Sequence, residues 1–256
     1  MGSLSRISST IKRFFRILFR SNSRKVELIY DPIVLLITWG FFFITFRDSP
    51  IAAVFFSSSI LWHLSYSFQS TFNLMTLEDV WNDCFKESII IPVTFLEYLA
   101  SKAIASLIRN LIKVVAMIAL ATVFFGYSVF LDNPIEYSLI LAELFLLATA
   151  VALAIDSIIL VAGREAQTLA WSANSLIILF ACPYYPLEIL PRFLQPIAEF
   201  SPYFAPFQQM KGLVLGAGAG FSFWNLVPIA AYLGISALLF SLAISKSRND
   251  GTLARF

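Results

Sequence analysis

Histidine and cysteine are almost absent: the 256 residues include one histidine, His63, and two cysteines, Cys84 and Cys182. A histidine-based triad or a multi-histidine metal site is thereby excluded. Two cysteines so far apart supply neither a disulfide framework nor a metal-ligand spacing. Charge is scarce too, at 13% of residues, about half the ~25% of a soluble domain. The net charge of +2 is too small to point to nucleic acid. Glycine is thin, and no Gly-x-x-x-x-Gly-Lys-Ser/Thr loop occurs, nor even a Gly-Lys dipeptide, so no ATP site can be assigned to this chain. The small cluster Gly212, Gly216, Gly218 and Gly220 follows no strand and carries no lysine at the needed place. It reads as a flexible external turn.

Apolar surface is what the chain has in excess. Hydrophobic residues make up 59%, with 26 Phe, 9 Tyr and 5 Trp, and the mean hydropathy is +0.79. A water-soluble fold of this size cannot hide that much, so the solvent for most of the chain is lipid. A span needs roughly 20 apolar residues, and six segments reach or approach that: 28–46, 51–72, 103–125, 135–162, 169–182 and 225–245. The fifth is short and runs into a proline-rich apolar stretch. These runs lack the alternation of a membrane barrel. The expected fold class is all-α, a single membrane domain over 1–256 with six transmembrane helices.

Lysine and arginine set the orientation. Fifteen fall on one side of these spans and only Arg47, Arg192 and Lys211 on the other. Both termini are therefore expected in the cytoplasm, as in a multi-pass protein of a bacterial or archaeal plasma membrane. Residues 1–25 contain no acid. Leu4, Ile7, Ile11, Phe14 (or Phe15) and Leu18 recur at helical spacing, with Arg6, Lys12, Arg13, Arg16 and Arg20 around the rest of the circumference. That pattern predicts an interfacial amphipathic helix with its basic face toward anionic headgroups. An Arg- and Ser-rich, acid-free terminus also fits a mitochondrial transit peptide, although this one runs directly into a span. Arg6 at the Ser/Thr position breaks the myristoylation pattern.

Ionisable groups inside spans are costly and mark function or pairing. Arg109 and Asp156 lie at equal estimated depth from one face and are expected to form a structural pair. Lys113 is a further buried cation, and Glu143 is placed near the opposite face, within snorkelling reach. His63 reads as a satisfied interhelical histidine before a ligand. The aromatic run Trp39, Phe41, Phe42, Phe43, Phe46, Phe55, Phe56, Trp62, Tyr66 and Phe68 fits either a lipid-facing belt or a stacking path for cargo.

Two stretches carry most of the information. In 76–98, Thr76 suits an N-cap, and Leu77, Val80, Trp81, Cys84 and Phe85 form an apolar stripe. Asp79, Asp83, Lys86 and Glu87 lie opposite, with Glu78 in the first turn. The pattern predicts a short amphipathic helix on the cytoplasmic surface, serving either as a connector or as a docking surface for a cytosolic partner. In 183–207, Pro183, Pro186, Pro191, Pro196, Pro202 and Pro206 forbid one continuous span. Short apolar helices broken by proline read as a re-entrant hairpin, tolerated only against protein or a polar path.

The sequence Leu77-Glu78-Asp79-Val80-Trp81, then Pro92-Val93 with Glu97 and Lys102, resembles the cytoplasmic loop of ABC exporter permeases of the second type. Tyr185-Pro186-Leu187, Leu190-Pro191 and Ser201-Pro202 resemble the re-entrant hairpin of that family. The spacing from Glu78 to Pro92 is longer than in many drug-exporter members. The resemblance covers essentially the whole chain. It implies an ATP-driven exporter of two permease copies and two separate ATPase subunits, with ATP and Mg on the partner and no cofactor on this chain. The cargo would be a drug, a lipid or a lipid-linked polysaccharide. Rival readings are a proton-coupled carrier using Asp156, Glu143 and Arg109 as its relay, and a non-transporting membrane scaffold.

Overall fold

The computed structural model describes residues 3–20, 22–81, 94–217 and 221–249, and every regular element among them is helical. The α-helices are α1 (Ser3–Arg20), α2 (Asn22–Thr45), α3 (Pro50–Trp81), α4 (Phe95–Phe125), the single turn α5 (Val129–Asp132) and α6 (Pro134–Ala162). They continue with α7 (Leu169–Ala181), α8 (Gln195–Phe200), α9 (Phe204–Val214) and α10 (Leu226–Asn249). Short 3₁₀ turns occupy Gly163–Thr168, Leu187–Ile189 and Phe223–Asn225. Five helices, α2, α3, α4, α6 and α10, carry stretches long and apolar enough to cross a membrane. α7 has 13 residues, about 20 Å at helical rise, and is too short to cross a ~30 Å hydrocarbon core unaided.

α3 and α6 form the centre of the bundle. Their most apolar stretches are 72% and 67% buried, against 22% for α2 and for α10. α6 packs against both α3 and α10. α3 is unusual for a central helix because its interior is half polar. Ser57, Ser58, Ser59, His63, Ser65, Ser67, Gln69, Thr71, Asn73, Thr76 and Asp79 are all buried along it. In a low-dielectric interior such groups need partners, and those partners fix how α2, α4, α6 and α7 sit around it.

Local signals explain the ends. Thr94 caps α4 by accepting from the Glu97 backbone N–H, and the Glu97 side chain accepts from the Thr94 N–H at 2.7 Å. This capping box starts α4 eight residues before the expected 103. Gly126 ends α4 with φ +62, a left-handed cap that glycine adopts without strain. Gly40 of α2 sits where a Cβ would lie 2.2 Å from the Phe125 ring, so a bare backbone is what lets the two helices close.

Both described chain ends meet at one end of the bundle. Arg6 of α1 bonds Glu97 at the start of α4, and Ser247 near the end of α10 donates to the Leu160 carbonyl at 2.8 Å. From that end, residues 163–184 run antiparallel along α3. Gln167 meets Trp81, Asn174 bonds Gln69, the Pro183 carbonyl accepts from Ser58 at 2.6 Å, and Tyr184 stacks on Phe55. The chain then turns back. Tyr203 and Phe207 pack against Trp62, in the middle of α3, before α9 leads outward again. The frayed end of α7 is satisfied within this segment. Lys211 donates to the Cys182 and Tyr185 carbonyls at 2.6 and 2.8 Å, and the Tyr185 hydroxyl to the Leu179 carbonyl at 2.5 Å.

Candidate coupling end and polar pocket

The expected short helix does not begin at Thr76. α3 continues without a break to Trp81, so Thr76 is an interior residue and not a cap. The sequence holds no breaker there, and the apolar face of Phe72 simply continues through Leu77 and Val80, all three fully buried. Leu77 therefore belongs to the core and offers no docking face. Trp81 is 38% exposed and turns its indole N–H onto Gln167 Oε1 at 3.0 Å. Glu78 is half-buried on the same turn. Asp83, Phe85 and Glu87, with Pro92 and Val93, lie outside the described residues.

Asp79 is also misplaced by the sequence reading. Expected on a solvent face, it is 1% exposed and accepts from the Arg13 guanidinium and, at 3.3 Å, from the Tyr98 hydroxyl. Arg6 pairs with Glu97 at 2.7 Å, and that hydrogen bond raises the guanidinium pKa further. Two of the five basic residues assigned to lipid headgroups thus face protein acids, while Lys12, Arg16 and Arg20 stay exposed. Phe14 anchors α1 between Met75 and Ala105. The helices on either side of residues 82–93, α3 and α4, are therefore tied to each other through α1.

The predicted Arg109–Asp156 pair does not form. Lys102 is the partner: its Nζ donates to Asp156 Oδ2 at 2.5 Å, and both side chains are completely buried. Asp156 also accepts from Thr76 at 2.6 Å and Asn73 at 2.7 Å, while Lys102 bonds Thr76 and lies 4.2 Å from the Phe72 ring centroid. Gln69 and Asn174 extend the chain of hydrogen bonds to α7. The error came from the helix start. Counted from Phe95, Lys102 is about 10 Å in and Arg109 about 21 Å, whereas Asp156 is about 9 Å from the end of α6. Depth matches Lys102.

Arg109 instead reaches Thr71 at 3.0 Å and Glu27 at 3.6 Å. Lys113 donates to Ser67 at 2.7 Å and lies 3.5 Å from Asp31, whose other neighbour is His63 at 3.2 Å. Of these groups Glu27, Asp31, Ser67 and Lys113 border an open pocket of about 400 Å³ between α2, α3, α4 and α7, whose lining also holds Tyr30, Tyr66 and Trp171. The cations are buried on α4 and the carboxylates half-exposed on α2. The pocket thus offers both charge signs and three aromatic rings to one guest. Sequence reasoning found Arg109, Lys113 and His63 but passed over Glu27 and Asp31. Acids followed by Pro32 within an apolar helix were the available signal.

The remaining assignments separate. Glu143 does not snorkel, being 1% exposed. Asp156, Glu143 and Arg109 sit in three different settings, Asp156 against Lys102, Arg109 against Thr71 and Glu143 buried near the other end of α6. The aromatic run splits as well. Phe43, Phe56 and Phe68 are interior, Phe41 and Phe46 are exposed, and Trp39, Phe42 and Phe55 cluster with Tyr184. In the proline-rich stretch Pro186 caps the Leu187–Ile189 turn, the Pro191 carbonyl accepts from Leu194, and Leu187 packs on the Cys182–Leu190–Ala198 cluster. Pro202 lies just ahead of α9. Among the described residues no three His, Cys, Asp or Glu side chains gather as a metal site.

No curated protein sequence matches the chain. The family described as ABC-2 type transporter does, over residues 5–215, a stretch that takes in the α1 clamp, the buried ion pair, the pocket and the proline-rich segment. With five helices fit to cross a bilayer, the chain belongs to the ABC-2 type transporters as a membrane permease, a kind of subunit that lacks the ATPase, which sits on a partner subunit.

Proposed function

We propose that the whole chain, 1–256, is one permease domain. Two copies work with two cytosolic ATPase subunits to move an amphipathic cargo (a drug, a lipid or a lipid-linked polysaccharide) out of the cytoplasm. ATP and Mg²⁺ bind on the partner. Both termini are cytoplasmic in a bacterial or archaeal plasma membrane, in keeping with the described ends of the chain lying at one end of the bundle and with the 15-to-3 basic asymmetry. Six crossings follow if residues 163–214 make the fifth. The return of Tyr203 to the level of Trp62 supports a re-entrant hairpin there. The pocket's mixed charge and aromatic rings suit a guest with a polar head and an apolar body.

The observation that carries the reading is the clamp at the basic end. Arg13–Asp79, Arg6–Glu97 and Lys102–Asp156 bind α1, α3, α4 and α6 into one unit, which holds both helices that flank residues 82–93 in sequence. A push from an ATPase on that segment would be passed to the central helices instead of being lost in a loose loop. Trp81, Asp83, Phe85 and Glu87 are the proposed contact residues, with Leu77 and Asp79 holding their base from inside.

The test is co-purification and cargo-stimulated hydrolysis with the cognate ATPase in liposomes. Trp81→Ala and the Asp83→Lys/Glu87→Lys variant should insert normally yet capture the ATPase at least tenfold more weakly, a loss of ~1.4 kcal/mol or more. Normal capture and normal stimulation in both would remove residues 76–98 as the coupling element.

A further inference from the structure

The pocket beside α2 is bordered by both charge signs but does not present them equally. Glu27 and Asp31 stand four residues apart, on one face of α2, with 54% and 44% of their side chains exposed. The cations behind them, Arg109 and Lys113 of α4, are 5% and 2% exposed. Of those two only Lys113 reaches the lining. Its ammonium donates to Ser67 at 2.7 Å and has Asp31 at 3.5 Å. His63, buried on α3, lies 3.2 Å from the same Asp31 oxygen.

These ion pairs differ from the structural one. Lys102 and Asp156 meet at 2.5 Å with both side chains fully buried. Glu27 stands 3.6 Å from Arg109 and Asp31 3.5 Å from Lys113, beyond the ~2.7–2.9 Å of a close charge-assisted hydrogen bond. Both acids lie within the apolar stretch Lys25–Thr45, where a half-exposed carboxylate is costly and marks a functional group. Arg109 and Lys113 compensate their charge from behind without covering them. An anionic guest would have to displace Glu27 and Asp31 from those cations. A cationic guest meets the two carboxylates first, in a cavity that Tyr30, Tyr66 and Trp171 also line. Aromatic rings attract a cation through their quadrupoles, most strongly where water is excluded.

We propose that this pocket binds an organic cation, an ammonium or phosphonium group carried on an apolar body. Glu27 and Asp31 are its counter-ions, and Tyr30, Tyr66 and Trp171 are its ring contacts. The proposal narrows the cargo class given above, and it rests on that reading for the guest's being carried across the membrane. Charge and ring contacts hold the guest, so it needs no hydrogen-bond donor of its own.

The experiment measures binding alone, on the purified chain in lipid nanodiscs without ATPase, with empty nanodiscs subtracted. Radiolabelled tetraphenylphosphonium is the probe. Tetraphenylborate, of nearly the same shape and opposite charge, is measured separately. Wild type should bind the cation saturably and about tenfold or more tighter than the anion. Glu27→Gln with Asp31→Asn should weaken the cation by about tenfold or more, and Trp171→Ala should weaken it several-fold. Asp31→Asn also disturbs Lys113 and His63, so Glu27→Gln alone is the second variant. It should weaken the cation several-fold while melting at the wild-type temperature. Anion binding as tight as cation binding, or cation binding unchanged in both Glu27→Gln and Trp171→Ala, overturns the proposal. So does a wild type without saturable cation binding, since lipid or a second copy would then fill the pocket. A chain that binds the cation but captures no ATPase keeps this site and removes the transport reading. Capture of the ATPase without cation binding does the reverse.

Discussion

A buried ion pair stands only when both partners arrive at the same depth with their remaining valences filled. Asp156 meets this with Lys102, Thr76 and Asn73 around its two oxygens. Removing one member leaves the other uncompensated, so Asp156→Leu and Lys102→Met should each cost about 3–5 kcal/mol. The double variant should recover much of that loss. Arg109→Leu combined with Asp156→Leu should instead be additive, because the two make no direct contact. Thermal unfolding of the purified variants, read by intrinsic tryptophan fluorescence, separates these outcomes. Every residue of the network was visible in the sequence. Which cation served Asp156 was not, because depth has to be measured from a helix start, and hydropathy alone put that start at 103. The Thr94-Phe-Leu-Glu97 capping box held the missing information, since a reciprocal cap fixes a start that hydropathy blurs.

Two contacts decide how the helices assemble, and each can be broken singly. Gly40 brings α2 against Phe125, so Gly40→Ala forces the ring to move and should cost about 1–3 kcal/mol, the range for overpacking. Gly40→Ala with Phe125→Leu should restore the melting point. α1 is held by Phe14 and by two ion pairs to buried acids. Arg13→Ala should therefore release α1 to limited proteolysis between α1 and α2 several-fold faster, whereas Lys12→Ala, on the exposed side, should leave the rate unchanged. Equal rates for the two would mean that lipid, and not Asp79, holds α1 in place. The helix itself was legible from its periodicity. The direction of Arg6 and Arg13 was not, because a guanidinium on an amphipathic helix satisfies a headgroup or a carboxylate equally well until the neighbour is known.

At the scale of the molecule, Arg6 and Ser247 lie at one end of the bundle and the Asp132 turn lies at the other. With Cys84 and Cys182 replaced by serine, Asp132→Cys should react with an impermeant maleimide in intact cells. Lys246→Cys should react only after permeabilisation, and the reverse pattern would invert the orientation. The sequence by itself determined the solvent, the helical class and the five helices long and apolar enough to cross a membrane, because these depend on composition and period along one strand of chain. It also marked residues 183–207 as broken, because six prolines cannot sit in one helix. Only the tertiary structure decided that α3 runs through Thr76 to Trp81, that Asp79 and Leu77 face inward, that Lys102 holds Asp156, and that Glu27 and Asp31 border a pocket with Lys113. Each of those is a choice among partners on different helices. A polar group in a low-dielectric interior takes whichever partner the packing brings within about 3 Å, and that distance is set by the whole bundle at once.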